Sequence, residues 1–209
     1  MEAFIQILEE RLARELPGWT AQRKAAPPDR APHPNIPPPD ARFASVLIAL
    51  YPIAERIHTG LILRPSYPGV HGGQVAFPGG KREPEDADDV ETALREAEEE
   101  VGLSRSLPRI VGSLSPVYIP PSRYWVSPIV AVLDHRPQFV ADQHEVERVL
   151  ELPLAHLSQP EVLRNAEFGQ GGQRFYSPAY HWDDFVIWGA TAMMISELMT
   201  VIDDQLDRL

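Results

Sequence analysis

FPGGKREPEDADDVETALREAEEEVGL, residues 77–103, joins a glycine turn to a helix with a signal at each end. Asp88 can accept from the free backbone N–H groups of a first turn, and Glu91 three residues on completes a capping-box pattern. Gly102 can take the left-handed conformation that ends helices. Between them Val90, Ala93, Leu94, Ala97 and Val101 form an apolar face. At 3.6 residues per turn, Glu96, Glu99 and Glu100 share one side of that helix. Their mutual repulsion costs about 0.2–0.5 kcal/mol per exposed pair. A divalent cation reverses that sign, since Mg²⁺ and Mn²⁺ prefer oxygen ligands. Arg95, beside Glu96 and four residues before Glu99, is placed to hold a carboxylate in a fixed orientation. An acidic run alone reads as a solvated helix face. The glycine turn that delivers the chain onto the same carboxylate side turns the reading toward a metal site.

Outward from this unit, FASVLIAL (43–50) is an apolar run of strand length, and TGLILR (59–64) is its hairpin partner after a turn within 52–58. QVAF (74–77) reads as a short strand between glycine turns. Further strands are expected at 109–119, 125–133, 145–153 and 174–182, and a final helix at 189–207 with Met193, Met194, Leu198 and Ile202 as its apolar stripe. At the other end, Phe4, Ile5, Leu8, Leu12 and Leu16 predict a helix over 2–16, stopped by Pro17-Gly18. Residues 27–40 hold seven prolines in fourteen positions, an extended linker or wrapping arm. The expected division is an N-terminal helix and Pro-rich arm over 1–41 and a catalytic domain over 42–209. The fold class is a mixed α/β sandwich, with the glutamate helix against a mixed sheet and the terminal helix on another face.

The bulk numbers set limits. With 209 residues, 44% hydrophobic and 23% charged, the chain can bury a core of ordinary size. A formal charge of −11 argues against a nucleic-acid surface, which needs clustered Lys and Arg. A small anionic substrate stays compatible if a bound cation reverses the local field. There are no cysteines, so disulfides, thiolate metal sites and a catalytic thiol are excluded. No segment reaches the roughly 18 apolar residues of a membrane span, and the N-terminus lacks a basic start followed by an apolar run. The expectation is a cytoplasmic protein without membrane partners. The apolar residues of the arm and first helix offer surface for a homodimer.

FPGG (77–80) followed by TALREAEEEVGL (92–103) resembles the Nudix box, whose core reads Arg-Glu-apolar-x-Glu-Glu-x-Gly-apolar. Asp86, with eight residues between it and Arg95, stands where the general box has a glutamate and a spacer shorter by one residue. That lengthening is similar to the coenzyme A pyrophosphatase branch, whose upstream pattern ends in Gly-x-x-x-Phe-Pro-Gly-Gly. Residues Gly73 to Gly80 match that ending, and Arg64 matches the arginine that opens it. Gly69 stands where the branch has a second arginine. HEVERVLELPL (144–154) and WGATAMMISEL (188–198) extend the resemblance.

The resemblance implies a hydrolase with an α/β/α sandwich, needing Mg²⁺ or Mn²⁺ and acting on a small nucleotide. Glu96, Glu99, Glu100 and Glu145 would be metal ligands, Glu145 matching an acid that reaches the site from a loop beyond the box. Glu99, Glu96 and Arg95 would carry catalysis, with Glu99 as a ligand or the base. Arg64, His71, Gly79 and Gly80 would bind substrate. The implied reaction is hydrolysis of the diphosphate of coenzyme A, giving 3′,5′-ADP and 4′-phosphopantetheine. The change at Gly69 keeps ADP-ribose, NADH and diadenosine polyphosphates open as substrates. A binding protein of the same fold that does not cut its nucleotide is the reading from another class.

Overall fold

The computed structural model describes residues 2–32, 36–65, 72–170 and 173–202. In chain order the elements are helix α1 (Glu2–Leu12), short helix α2 (Trp19–Gln22), strands β1 (Arg42–Ile53), β2 (Arg56–Leu63), β3 (Val75–Ala76) and β4 (Gly79–Lys81), and helix α3 (Asp89–Val101). There follow β5 (Arg109–Ser113), β6 (Val117–Ile119), β7 (Tyr124–Val132), β8 (Arg148–Pro153), short helix α4 (Leu154–Leu157), β9 (Leu163–Gln170), β10 (Gln173–Trp182), β11 (Phe185–Trp188) and α5 (Gly189–Ile202).

Among the described residues, eight strands form a mixed sheet with the central order β3-β2-β1-β7-β5, flanked by β4 on β1, β6 on β7 and β8 on β2. The β1–β7 pair is parallel and its other pairings are antiparallel. The second sheet is β9-β10-β11. Successive side chains of a strand point to opposite faces, and β1 uses both. Leu47, Ala49 and Tyr51 belong to one apolar cluster with Ala93, Ala97 and Val101 of α3. Ile48 and Leu50 belong to the other, with Phe4, Ile5 and Leu8 of α1 and Met193, Ile195 and Leu198 of α5. The result is a mixed sheet between helical layers, the expected class.

Several boundaries differ from expectation. α1 ends at Leu12 instead of continuing to 16, because Pro17 disfavours helical backbone at Leu16. The hairpin turn shrinks to Ala54 and Glu55, both with positive φ (46° and 65°), as a two-residue turn of matching twist requires. The single strand expected over 109–119 is two, β5 and β6, with Leu114–Pro116 between them. Pro116 has no N–H to give a ladder, and a register shift lies at Gly112. The strand expected from 145 begins at Arg148, since the N–H groups of Glu145 and Val146 both bond the Asp142 carbonyl in a turn. β9, β11 and the short helices α2 and α4 had no expectation. The Glu91 side chain does not complete a capping box; its carboxylate pairs with Arg105 at 2.8 Å. The end of the helix expected over 189–207 lies beyond the described residues.

Candidate functional site

α3 sets the register of the site. Asp88 accepts from the N–H of Glu91 at 2.9 Å, and Gly102 caps the other end at φ 65°. Fixed so, the helix turns Ala93, Ala97 and Val101 inward, while Arg95, Glu96 and Glu99 lie along its edge. Val90 and Leu94, expected on the core face, are only half-buried, and Thr92 and Glu100 are buried instead.

Arg95 is the hub. Its Nε and Nη2 donate to the two oxygens of Asp86, each at 2.9 Å, and Nη2 also donates to the Lys81 carbonyl at 3.0 Å. Its Nη1 donates to Glu96 at 2.9 Å and to Glu99 at 3.0 Å. The Arg95 side chain is 11% exposed and that of Asp86 3%, so the bidentate pair is shielded from solvent and strong. Glu99, 57% exposed, is held weakly, an i,i+4 pair contributing about 0.3–0.5 kcal/mol. Arg95 holds the Asp86 carboxyl well below the usual carboxylate range, helped by the Glu83 N–H and the Thr92 hydroxyl. Asp86 in turn raises the Arg95 pKa.

Glu100 is almost fully buried. One oxygen accepts from the Gly79 N–H at 2.8 Å and the other lies 3.3 Å from Arg64. Arg64 also donates to the Gly79 carbonyl at 3.1 Å, so one guanidinium ties the glycine strand to the helix. Burial pushes the Glu100 carboxyl up to about 7, against the pull of Arg64 and Gly79, with Glu96 and Glu145 adding like charge. Burial also raises Glu96, against Arg95, and Glu99 and Glu145 add to that rise. Glu145 thus stands on its exposed turn close enough to act on both carboxyls.

Two glycines make this approach feasible. A Cβ on Gly79 (φ 155°) would lie 2.3 Å from the Ser45 carbonyl oxygen, and one on Gly80 would lie 2.4 Å from a Glu96 oxygen. Strand β4 therefore passes against the carboxylates with bare backbone.

β4 also lines a cleft of about 980 Å³. Gly79, Gly80 and Arg64 lie at one part of it and Phe168, Phe175 and Trp188 at another. Phe168 and Trp188 stack with centroids 4.4 Å apart, and Phe175 lies 5.6 Å from Phe168. The structure thus joins Arg95, Glu96 and Glu99 in one network, Glu100, Gly79 and Arg64 in a second, and places Gly80 against the first. His71 and Gly69 lie outside the described residues. Sequence reasoning gave no role to Asp86 or Thr92 and missed the aromatic wall. Its signal was Gly171-Gly172 between two phenylalanines, a two-residue hairpin pattern.

In donor chemistry the site suits a hard divalent cation. It offers carboxylate oxygens, and at Glu96 and Glu100 burial raises the pKa, neighbouring carboxylates add to the rise, and Arg95 and Arg64 respectively oppose it. Among the described residues no three acid or histidine side chains already converge on one point. No helix among them is long and apolar enough to cross a membrane.

The NUDIX domain model matches residues 42–170. The chain is 33% identical to the peroxisomal coenzyme A diphosphatase NUDT7 of Mus musculus over 167 residues, covering 77% of this chain and 70% of that protein. It is 38% identical over 162 residues to the uncharacterized Nudix hydrolase NudL of Escherichia coli (strain K12), covering 75% of this chain and 81% of that one. A Nudix hydrolase from M. Smegmatis, RenU, shares the fold with a TM-score of 0.56 at 14% identity, over 87% of this chain and 94% of that one.

Proposed function

Since the chain belongs to the NUDIX domain family, we propose that it hydrolyses the diphosphate of coenzyme A or its derivatives, giving 3′,5′-ADP and 4′-phosphopantetheine, with Mg²⁺ or Mn²⁺ as cofactor. The observation that carries this reading is the buried Glu100 carboxylate, bonded to the Gly79 N–H where β4 borders a cleft of about 980 Å³. A carboxylate buried among like charges needs compensating positive charge. Its protein partners supply part of that charge.

Glu96, Glu99, Glu100 and Glu145 would hold the cation. When bound, it would neutralise charge on the diphosphate oxygens and activate the attacking water. The chain's own residues do the rest. Arg95, anchored by Asp86, orients Glu96 and Glu99. Glu99, the most exposed of the box carboxylates and tied by one oxygen only, accepts the proton as water attacks one phosphorus and the bridging P–O bond breaks. Gly79 and Gly80 leave the backbone bare for a phosphate to approach. The rings of Phe168, Phe175 and Trp188 offer a stacking surface for a planar base. Support for coenzyme A comes from the mouse relative, which is named for that activity. The cleft, near the upper end for small-molecule sites, suits a multipart substrate.

The test is a parallel assay of coenzyme A, ADP-ribose, NADH and diadenosine polyphosphates with Mg²⁺ or Mn²⁺, products separated by charge. Fastest turnover of coenzyme A is expected. A clear preference for another of the four would move the substrate and keep the chemistry. Tight nucleotide binding with no cleavage of any would replace the enzyme with a binding protein.

A further inference from the structure

Building on the diphosphatase reading, we propose that Arg30, on the proline-rich arm, is a specificity-determining cation that receives a phosphate monoester of the substrate outside the cleaved diphosphate. Arg30 and Pro27 line the same cleft as Gly79, Gly80 and Arg64. The guanidinium donates one N–H to the Tyr118 carbonyl on β6, and its own backbone N–H closes a turn onto the Pro27 carbonyl at 2.9 Å. A guanidinium has five N–H donors, so this single bond orients the group and leaves its fork free.

The charge balance around it is unusual. Burial lowers the Arg30 pKa, and no carboxylate acts in the other direction. Arg42 and Arg148 stack on Tyr124 and Phe185 of the cleft wall, and three further arginines near the site pair with acids. Arg82 pairs with Asp89, Arg105 with Glu91 and Glu98, and Arg123 with Asp40, and none of the three lines the cleft. Arg64 does line it but is engaged by Glu100 and the Gly79 carbonyl. Lys81, at the rim, is an exposed and flexible point charge. In a chain of net charge −11, a half-buried guanidinium with no acid partner among the described residues is a charge awaiting an anion. The planar fork matches phosphate oxygens in bidentate fashion. Proline on the arm narrows the backbone freedom that would otherwise be lost on binding.

A residue that only pins the arm to β6 would show the same Tyr118 bond, so the experiment must separate the two roles. Coenzyme A and 3′-dephospho-coenzyme A differ by one phosphate monoester. With the full chain and saturating Mg²⁺, wild type is expected to prefer coenzyme A in kcat/KM. Arg30→Gln should shrink that preference about 10- to 100-fold, the value of a hydrogen bond to a charged group, and Arg30→Lys should restore part of it. Equal loss on both substrates, or an unchanged ratio, overturns the proposal and leaves the diphosphatase reading intact. A second readout is independent of turnover. Calorimetric titration with adenosine 3′,5′-bisphosphate and with adenosine 5′-monophosphate should show an Arg30-dependent difference in affinity. If wild type cleaves neither substrate but this difference holds, coenzyme A hydrolysis falls and the Arg30 assignment stands.

Discussion

Two glutamates are buried on opposite faces of the same sheet. Glu100 on α3 and Glu197 on α5 are 1% and 0% exposed. Glu197 accepts from the Gln22 amide at 2.8 Å and the Gly18 N–H at 3.0 Å, both neutral donors from the N-terminal segment. Glu100 has one neutral donor, one arginine at 3.3 Å and two acidic neighbours that oppose its charge. The helices match this division. Ten of the fourteen residues of α5 are buried, so it is a core helix that also clamps the N-terminus. α3 buries one stripe and leaves a charged edge at the glycine strand. A buried carboxylate fully met by neutral donors is a structural part, whereas one held among like charges has a use for a further positive charge.

Substitutions can break or sharpen this contrast. The largest effect is expected from Glu100→Gln. Turnover should fall by about 100-fold or more, as for loss of a group that serves a metal site directly, with folding kept because an amide replaces a buried charge. Near-normal activity of the purified variant would sink the metal-site reading.

Asp86→Asn removes one partner of a shielded ion pair and should cost about 3–5 kcal/mol in denaturant unfolding. Because Arg95 depresses the Asp86 pKa, the pair contributes fully above the ordinary aspartate value of about 4 and is lost as pH falls toward its lower folded value. The variant should therefore lose part of the acid dependence of stability seen in wild type; identical profiles would refute it.

Glu197→Ala removes the carboxylate that accepts from the Gln22 amide and the Gly18 N–H. A loss of about 1–3 kcal/mol is expected, with kcat of the folded fraction preserved. A fall in kcat at constant KM would erase the distinction between the two glutamates. Asp88→Ala should cost about 1 kcal/mol through the lost cap and lower kcat less than Glu100→Gln does.

The parts legible in the sequence are those specified locally. Asp88, Gly102 and the spacing of Arg95, Glu96, Glu99 and Glu100 are signals within one helix, so its register and its polar edge could be read directly. What failed depended on distant partners. Glu91 has the right position for a capping box, yet Arg105, fourteen residues on, takes its carboxylate. LRNAEFGQ carries too little alternation to announce β9, which exists because β10 pairs along it. The cleft has the same origin: Arg30, Gly80 and Trp188 meet only once both sheets are in place.

The parallel pairing of β1 with β7 also has a kinetic side. β1 is completed at residue 53 and its central partner only at residue 132, roughly 80 residues later; at ribosomal speeds of about 5–20 residues per second, that is several seconds. During that interval the hairpin with β2 covers one edge of an apolar strand, and the other stays open to wrong pairings. The order of synthesis thus makes that edge the stage at which a chaperone has most to protect.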